Sequence, residues 1–127
     1  NNVIEDNYIQ RNALVTTWDA IATHGVGNLI QHNNISDGKY HAVRNFCNDS
    51  ITRYNEIYNM QKEADDSGAI YISGGTIARG HVVEYNYIHD NAVRRPTHNG
   101  WLHGIYFDDG QQGNTASHNI SANNESI

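Results

Sequence analysis

An asparagine two residues ahead of an isoleucine recurs along this chain, at Asn7-Tyr8-Ile9, Asn33-Asn34-Ile35, Asn55-Glu56-Ile57 and Asn86-Tyr87-Ile88. His118-Asn119-Ile120 is a degenerate fifth copy that lacks the leading Asn. The isoleucines lie 26, 22, 31 and 32 residues apart. A second series, Ile21, Val43, Ile70 and Ile105, is spaced by 22, 27 and 35 residues and alternates strictly with the first. A fixed minimum period with variable excess is what stacked units with loop insertions produce, each short strand pairing with its equivalent one unit along. Asn at equivalent turn positions can also stack into an amide ladder.

Composition agrees with many short strands and tight turns. Ile occurs fourteen times and Leu only three, while Asn contributes eighteen residues and Gly eleven. β-Branched side chains fit a pleated surface, and Asn and Gly tolerate the left-handed backbone of turns. Three leucines are too few for leucine-rich repeats, and a sandwich or barrel would not explain two interleaved series. The expected fold is all-β: a right-handed parallel β-helix of about four to five coils, its hand following the preference of parallel crossovers. Residues 1–127 then form one segment, cut from a longer solenoid at both ends.

The coils run from Asn1 to Ala22, from Asn28 to Arg44, from Ser50 to Ile72, from His81 to Phe107, and onward from Asn114. Loops at 61–66 and 91–101 exceed the minimal coil. The second holds Arg94, Arg95, His98 and the only proline, Pro96, and such loops commonly wall a binding face.

Stacking Val43, Ile70 and Ile105 as inward residues places Ala42, Ala69 and Gly104 in an outward column under strict alternation. Arg44, Tyr71 and Tyr106 form the next outward column. A floor of small residues beside tyrosine faces and a guanidinium suits an extended sugar chain. Trp101 falls opposite Asp66 in this alignment and is a further aromatic candidate. His103, close to the same column, is a candidate for substrate contact or proton transfer.

The carboxylates are a sharper signal. Asp65-Asp66 precedes Ser67-Gly68-Ala69-Ile70-Tyr71, and Asp108-Asp109 follows His103-Gly104-Ile105-Tyr106-Phe107. Glycoside hydrolysis uses a pair of carboxyl groups, and an extended path from Trp101 to Asp108 spans about 23 Å at ~3.3 Å per residue. The pair therefore needs the chain to turn, at Ser67-Gly68 or at Asp108-Asp109-Gly110. Asp65 and Asp109 have turn-capping as an equal alternative.

Other functions find less support. A net charge of −6 argues against nucleic acid, and no membrane segment or targeting signal occurs. The histidines lack metal-ligand spacings; clustered carboxylates offer Ca²⁺ as a weak alternative, but no Ca²⁺ loop accompanies them, so no cofactor is expected. The lone Cys47 excludes an internal disulfide.

The run from Asn28 to Gly38, with Arg53-Tyr-Asn-Glu-Ile-Tyr-Asn, Asp65-Asp-Ser-Gly-Ala-Ile-Tyr, Tyr85-Asn-Tyr-Ile-His-Asp and Gly104-Ile-Tyr-Phe-Asp-Asp, resembles right-handed parallel β-helix proteins of the pectin-lyase-like kind. More narrowly it is similar to carbohydrate-active members related to glycoside hydrolase family 141. The resemblance covers roughly Asn28 to Asn119. It implies cleavage of glycosidic linkages by paired aspartates, with Asp66 and Asp108 as catalytic candidates and Asp65 and Asp109 as supports. A polysaccharide or oligosaccharide partner and a secreted, periplasmic or cell-surface location follow from it. A polysaccharide lyase and a non-catalytic glycan-binding or adhesin-like protein remain as alternatives on the same fold.

Overall fold

The computed structural model describes residues 1–12, 15, 18–64, 66–92 and 101–124. Its strands, numbered in chain order, fall into three parallel sheets. The first holds β1 (Val3–Glu5), β4 (Leu29–Gln31), β7 (Ile51–Arg53), β10 (Val82–Glu84) and β13 (Thr115–Ser117). The second holds β2 (Tyr8–Gln10), β5 (Asn34–Ser36), β8 (Glu56–Tyr58), β11 (Tyr87–His89) and β14 (Ile120–Ala122). The third holds the longer β3 (Ile21–Val26), β6 (Val43–Asn48), β9 (Asp66–Ile72) and β12 (Trp101–Phe107). Successive strands thus enter successive sheets, and each pairs with its equivalent one repeat along.

The turns between strands explain the asparagines. Asp6, His32, Tyr54, Tyr85 and His118 each take a left-handed backbone where the first sheet hands over to the second. The Asn that follows each of them ties one repeat to the next. Asn55 shows the pattern: its Nδ2 donates to the Ile30 and Arg53 carbonyls at 3.1 and 2.9 Å, and to Asn86 Oδ1 at 3.0 Å. Its own Oδ1 accepts from the Asn33 backbone N–H and side-chain amide, both at 3.0 Å. The ladder runs through Asn7, Asn33, Asn55, Asn86 and Asn119. It satisfies turn donors and carbonyls that burial would otherwise strand.

Inside, Ile35, Ile57 and Ile88 stack in register with no exposed surface, alongside Ile30, Val83, Val43 and Ile70. The fifth repeat departs from the expected alignment. The ladder sets Asn119 against Asn86, so Ser121 lies opposite Ile88. Ile120 lies opposite Tyr87 and is 61% exposed. A one-residue offset exchanges the faces of a strand, and here the amide ladder decides the register.

A second correction concerns the third sheet. Ala42 and Ala69, expected outside, are fully buried members of the core. A methyl added at Gly104 would stand 2.9 Å from Ser121 Oγ and 3.6 Å from Ile88, so this position also faces inward. Ile70 is buried as well, and Ile105 packs on the core. Two successive residues therefore point in, and the period-two alternation breaks between positions 69 and 70. The bend is tight: a methyl at Gly68 would lie 2.8 Å from both the Ile70 carbonyl oxygen and Tyr106 Cβ. Gly68 is glycine because any side chain there would meet neighbouring backbone.

Candidate functional site

The broken alternation gathers side chains that a regular strand would send to opposite faces. Ahead of it, Asp66, His103 and Trp101 lie outside; beyond it, Tyr71 and Tyr106 do. The register holds Asp66 opposite Trp101, Gly68 opposite His103 and Tyr71 opposite both Arg44 and Tyr106. These are the columns expected from the repeat, now on one surface.

Tyr106 marks the meeting point. Burial pushes its phenol up to about 12, and the charges of Asp66 and Asp108, either of which can accept its single hydroxyl proton, add to the rise. Both carboxylates thus act on one phenol, although the strands that carry them stay paired in register from Asp66–Trp101 to Ile72–Phe107. The strand bends at Gly68, and the chain reverses after β12 through left-handed Asp109 and Gly110, with φ of 58° and 73°.

Asp108 is the better anchored of the two. Its Oδ2 accepts from the Tyr71 hydroxyl at 2.7 Å and its Oδ1 from the Asp109 backbone N–H at 2.7 Å. Burial works against its charge, but these bonds, together with Tyr106 and the nearby His103, hold its carboxyl below the usual range. The Tyr71 phenol is in turn pushed far up by burial and by Asp108. Asp66 is exposed at the start of β9. Asp109 is exposed too, and its left-handed turn and bond to Asp108 describe a supporting role. Asp65 lies outside the described residues, as do Arg94, Arg95, Pro96 and His98.

Aromatic rings line the strip. Tyr40 tilts over His41 with centroids 3.8 Å apart, His41 stacks on Tyr71 at 4.2 Å, and Tyr71 meets Tyr106 edge-on at 5.4 Å. His103 lies 4.5 Å from the Tyr106 ring, and Trp101 is 53% exposed. Arg44 is half-buried, its guanidinium carbon 3.9 Å above the Phe46 ring. Its Nη1 reaches Asp19 Oδ2 at 3.3 Å.

Asp19 and Tyr40 escaped the sequence reading, in which His41 counts only as a turn or groove-edge residue in a column near His103. Burial lowers the His41 imidazole to about 4, against a hydrogen bond to the Gly68 carbonyl and with help from the Arg44 charge. Burial raises the Tyr40 phenol, and Asp66 and Asp19 push the same way against Arg44. The signal for His41 and Asp19 was their alignment with His103, but strict alternation turned that column inward. Among the described residues no group of three His, Cys, Asp or Glu side chains could hold a metal ion.

Compared with known families, curated proteins and solved structures, the chain finds no match.

Proposed function

We propose that the three sheets close into a right-handed parallel β-helix segment whose third-sheet surface binds a glycan and hydrolyses its glycosidic bonds. The observation that carries this reading is the convergence of Asp66 and Asp108 on the Tyr106 hydroxyl. Catalytic carboxyl groups lie ~5–9.5 Å apart, and two carboxylates that act on the same phenol are the candidates for such a pair. Asp108, kept charged by its hydrogen bonds, serves as base or nucleophile. Asp66 supplies the proton to the leaving oxygen. Tyr71, Tyr106 and Trp101 offer ring faces and edges to the sugar, and Arg44 and His103 offer polar contacts. An extended glycan substrate accords with a secreted, periplasmic or cell-surface protein.

A lyase using tyrosine as its base is less well supported, because Tyr71 and Tyr106 hold their protons more tightly than ordinary phenols. Release of the aryl group from a panel of aryl glycosides tests the assignment. Asp66→Asn and Asp108→Asn should each lose about 10²–10⁴-fold in rate while folding normally. Full activity in both variants overturns it. Unsaturated products absorbing in the ultraviolet would mark a lyase, and binding without turnover a non-catalytic glycan-binding protein.

A further inference from the structure

Arg44 stands in the tyrosine column, yet it is not a free cation. Its partner Asp19 lies beneath it, with the carboxylate side chain 5% exposed against 31% for Arg44. Phe46 fixes the guanidinium from below at 3.9 Å. Among the described residues Asp19 Oδ1 and Arg44 Nε have no hydrogen-bond partner. The pair thus sums to no net charge at the surface, and the N–H groups left for a ligand are those on the exposed part of the guanidinium, not the buried Nε. Further along the strip stand Asp66, Asp108 and Asp109.

We propose that Asp19 is a specificity-determining residue: by cancelling the charge of Arg44, it makes the strip favour neutral glycans over uronates. This inference rests on the glycan-binding reading above and names the substrate class for it. A neutral sugar needs donors for its hydroxyl oxygens, which Arg44 supplies through its unused N–H groups. A uronate carboxylate needs net positive charge, and it meets a neutral pair followed by carboxylates. Removing the charge of Asp19 alone would expose a cation shaped for bidentate carboxylate pairing. Phe46 would still hold the guanidinium in place. The titratable groups that interact with this pair are Tyr40 and His41, and Asp66 acts on the same Tyr40. None of them restores a free positive charge next to Arg44.

Titration calorimetry at low salt, with a panel of neutral hexasaccharides and with hexagalacturonate, tests the idea without requiring turnover. The wild-type protein should bind at least one neutral member more tightly than hexagalacturonate. Asp19→Asn should move that affinity ratio toward hexagalacturonate by about tenfold, an effect that salt erases. Arg44→Gln, which leaves Asp19 uncancelled, should move it the other way, and Asp19→Asn with Arg44→Gln should lose the gain. An unchanged ratio in folded Asp19→Asn overturns the proposal, as does wild-type preference for hexagalacturonate or binding of no panel member. If Asp19→Asn does not fold, an unshifted ratio in Arg44→Gln overturns it instead. Because binding alone is read, an absent hydrolytic activity leaves this inference standing. An absent shift likewise leaves the hydrolase reading standing.

Discussion

The corner between the first and second sheets and the outer face of the third sheet are built from the same repeat and use it in opposite ways. At the corner every repeat places the same residue in the same role, from Asn7 to Asn119. Outside it, His32, Tyr54, Tyr85 and His118 stack with centroids 4.7–5.2 Å apart. On the third sheet, equivalent positions carry unlike residues: His41, Gly68 and His103 in one column, Arg44, Tyr71 and Tyr106 in the next. Identity between repeats closes hydrogen bonds along the stack. Difference between repeats sets a carboxylate, a phenol and a guanidinium side by side, which identical rungs cannot do.

The largest expected effect breaks the uniform region. Asn55→Ala removes the acceptor of the Asn33 N–H and the donor to the Ile30 and Arg53 carbonyls, all within a buried corner. Stranding several buried polar groups should cost about 3–5 kcal/mol in urea unfolding. Asn7→Ala, at the exposed end of the ladder, should cost about 1 kcal/mol. Equal losses at both positions would mean that the ladder is not a cooperative element.

The next effect separates the regions by pH. The asparagine ladder carries no titratable group, whereas the third sheet buries His41 between Tyr40 and Tyr71. Burial holds its imidazole at about 4 in the folded protein, against an ordinary 6.5. Below 6.5 the unfolded chain takes up a proton that the folded protein refuses until about 4, so stability falls as pH drops through this window. The full difference is about 3 kcal/mol. Burial lowers His81 too, and it adds a loss of the same sign. His41→Gln should flatten the unfolding free energy between pH 6.5 and 4 relative to wild type. Asn55→Ala should shift the whole curve without changing its slope. Parallel curves for wild type and His41→Gln would show that His41 is not held neutral by the fold.

This contrast also explains what the sequence made legible. The Asn-x-Ile recurrence reports two demands that every repeat makes, an amide at the corner and a branched apolar residue in the core. The sheets and most of their register could therefore be read directly. Ile120 misled because its apolar character matched the core series, while Asn119, the residue that sets the register, had been read as part of a degraded copy. Ala42, Ala69 and Gly104 misled because alternation was carried through the bend at Gly68. Asp66 and Asp108 stood out as carboxylates beside similar strands. Their shared action on Tyr106 is not encoded by residue spacing. Asp19 has no counterpart in the acidic motifs; alignment with His103 was its one trace in the sequence, and its packing against Arg44 reveals its partner.

The smallest effect sharpens the comparison at a single oxygen. Tyr71→Phe keeps the ring that stacks on His41 at 4.2 Å and removes the hydroxyl that donates to Asp108 at 2.7 Å. The site is half-open to solvent, so the loss in stability at neutral pH should stay below about 1 kcal/mol. That contribution belongs to a carboxylate whose folded pKa is depressed. It is present above the unfolded value and disappears as pH falls through the folded one. The variant and wild type should therefore converge in stability in strong acid. In hydrolysis assays the acid limb of the pH profile should move upward, because Asp108 loses a hydrogen bond that favours its charge. Asp109→Ala offers the control: its backbone N–H still reaches Asp108 Oδ1, so the limb should stay close to wild type. If the acid limb stays in place in Tyr71→Phe while the rate is retained, Asp108 is not the group whose ionisation that limb reports. The base or nucleophile would then have to be Asp66, the other carboxylate that meets Tyr106.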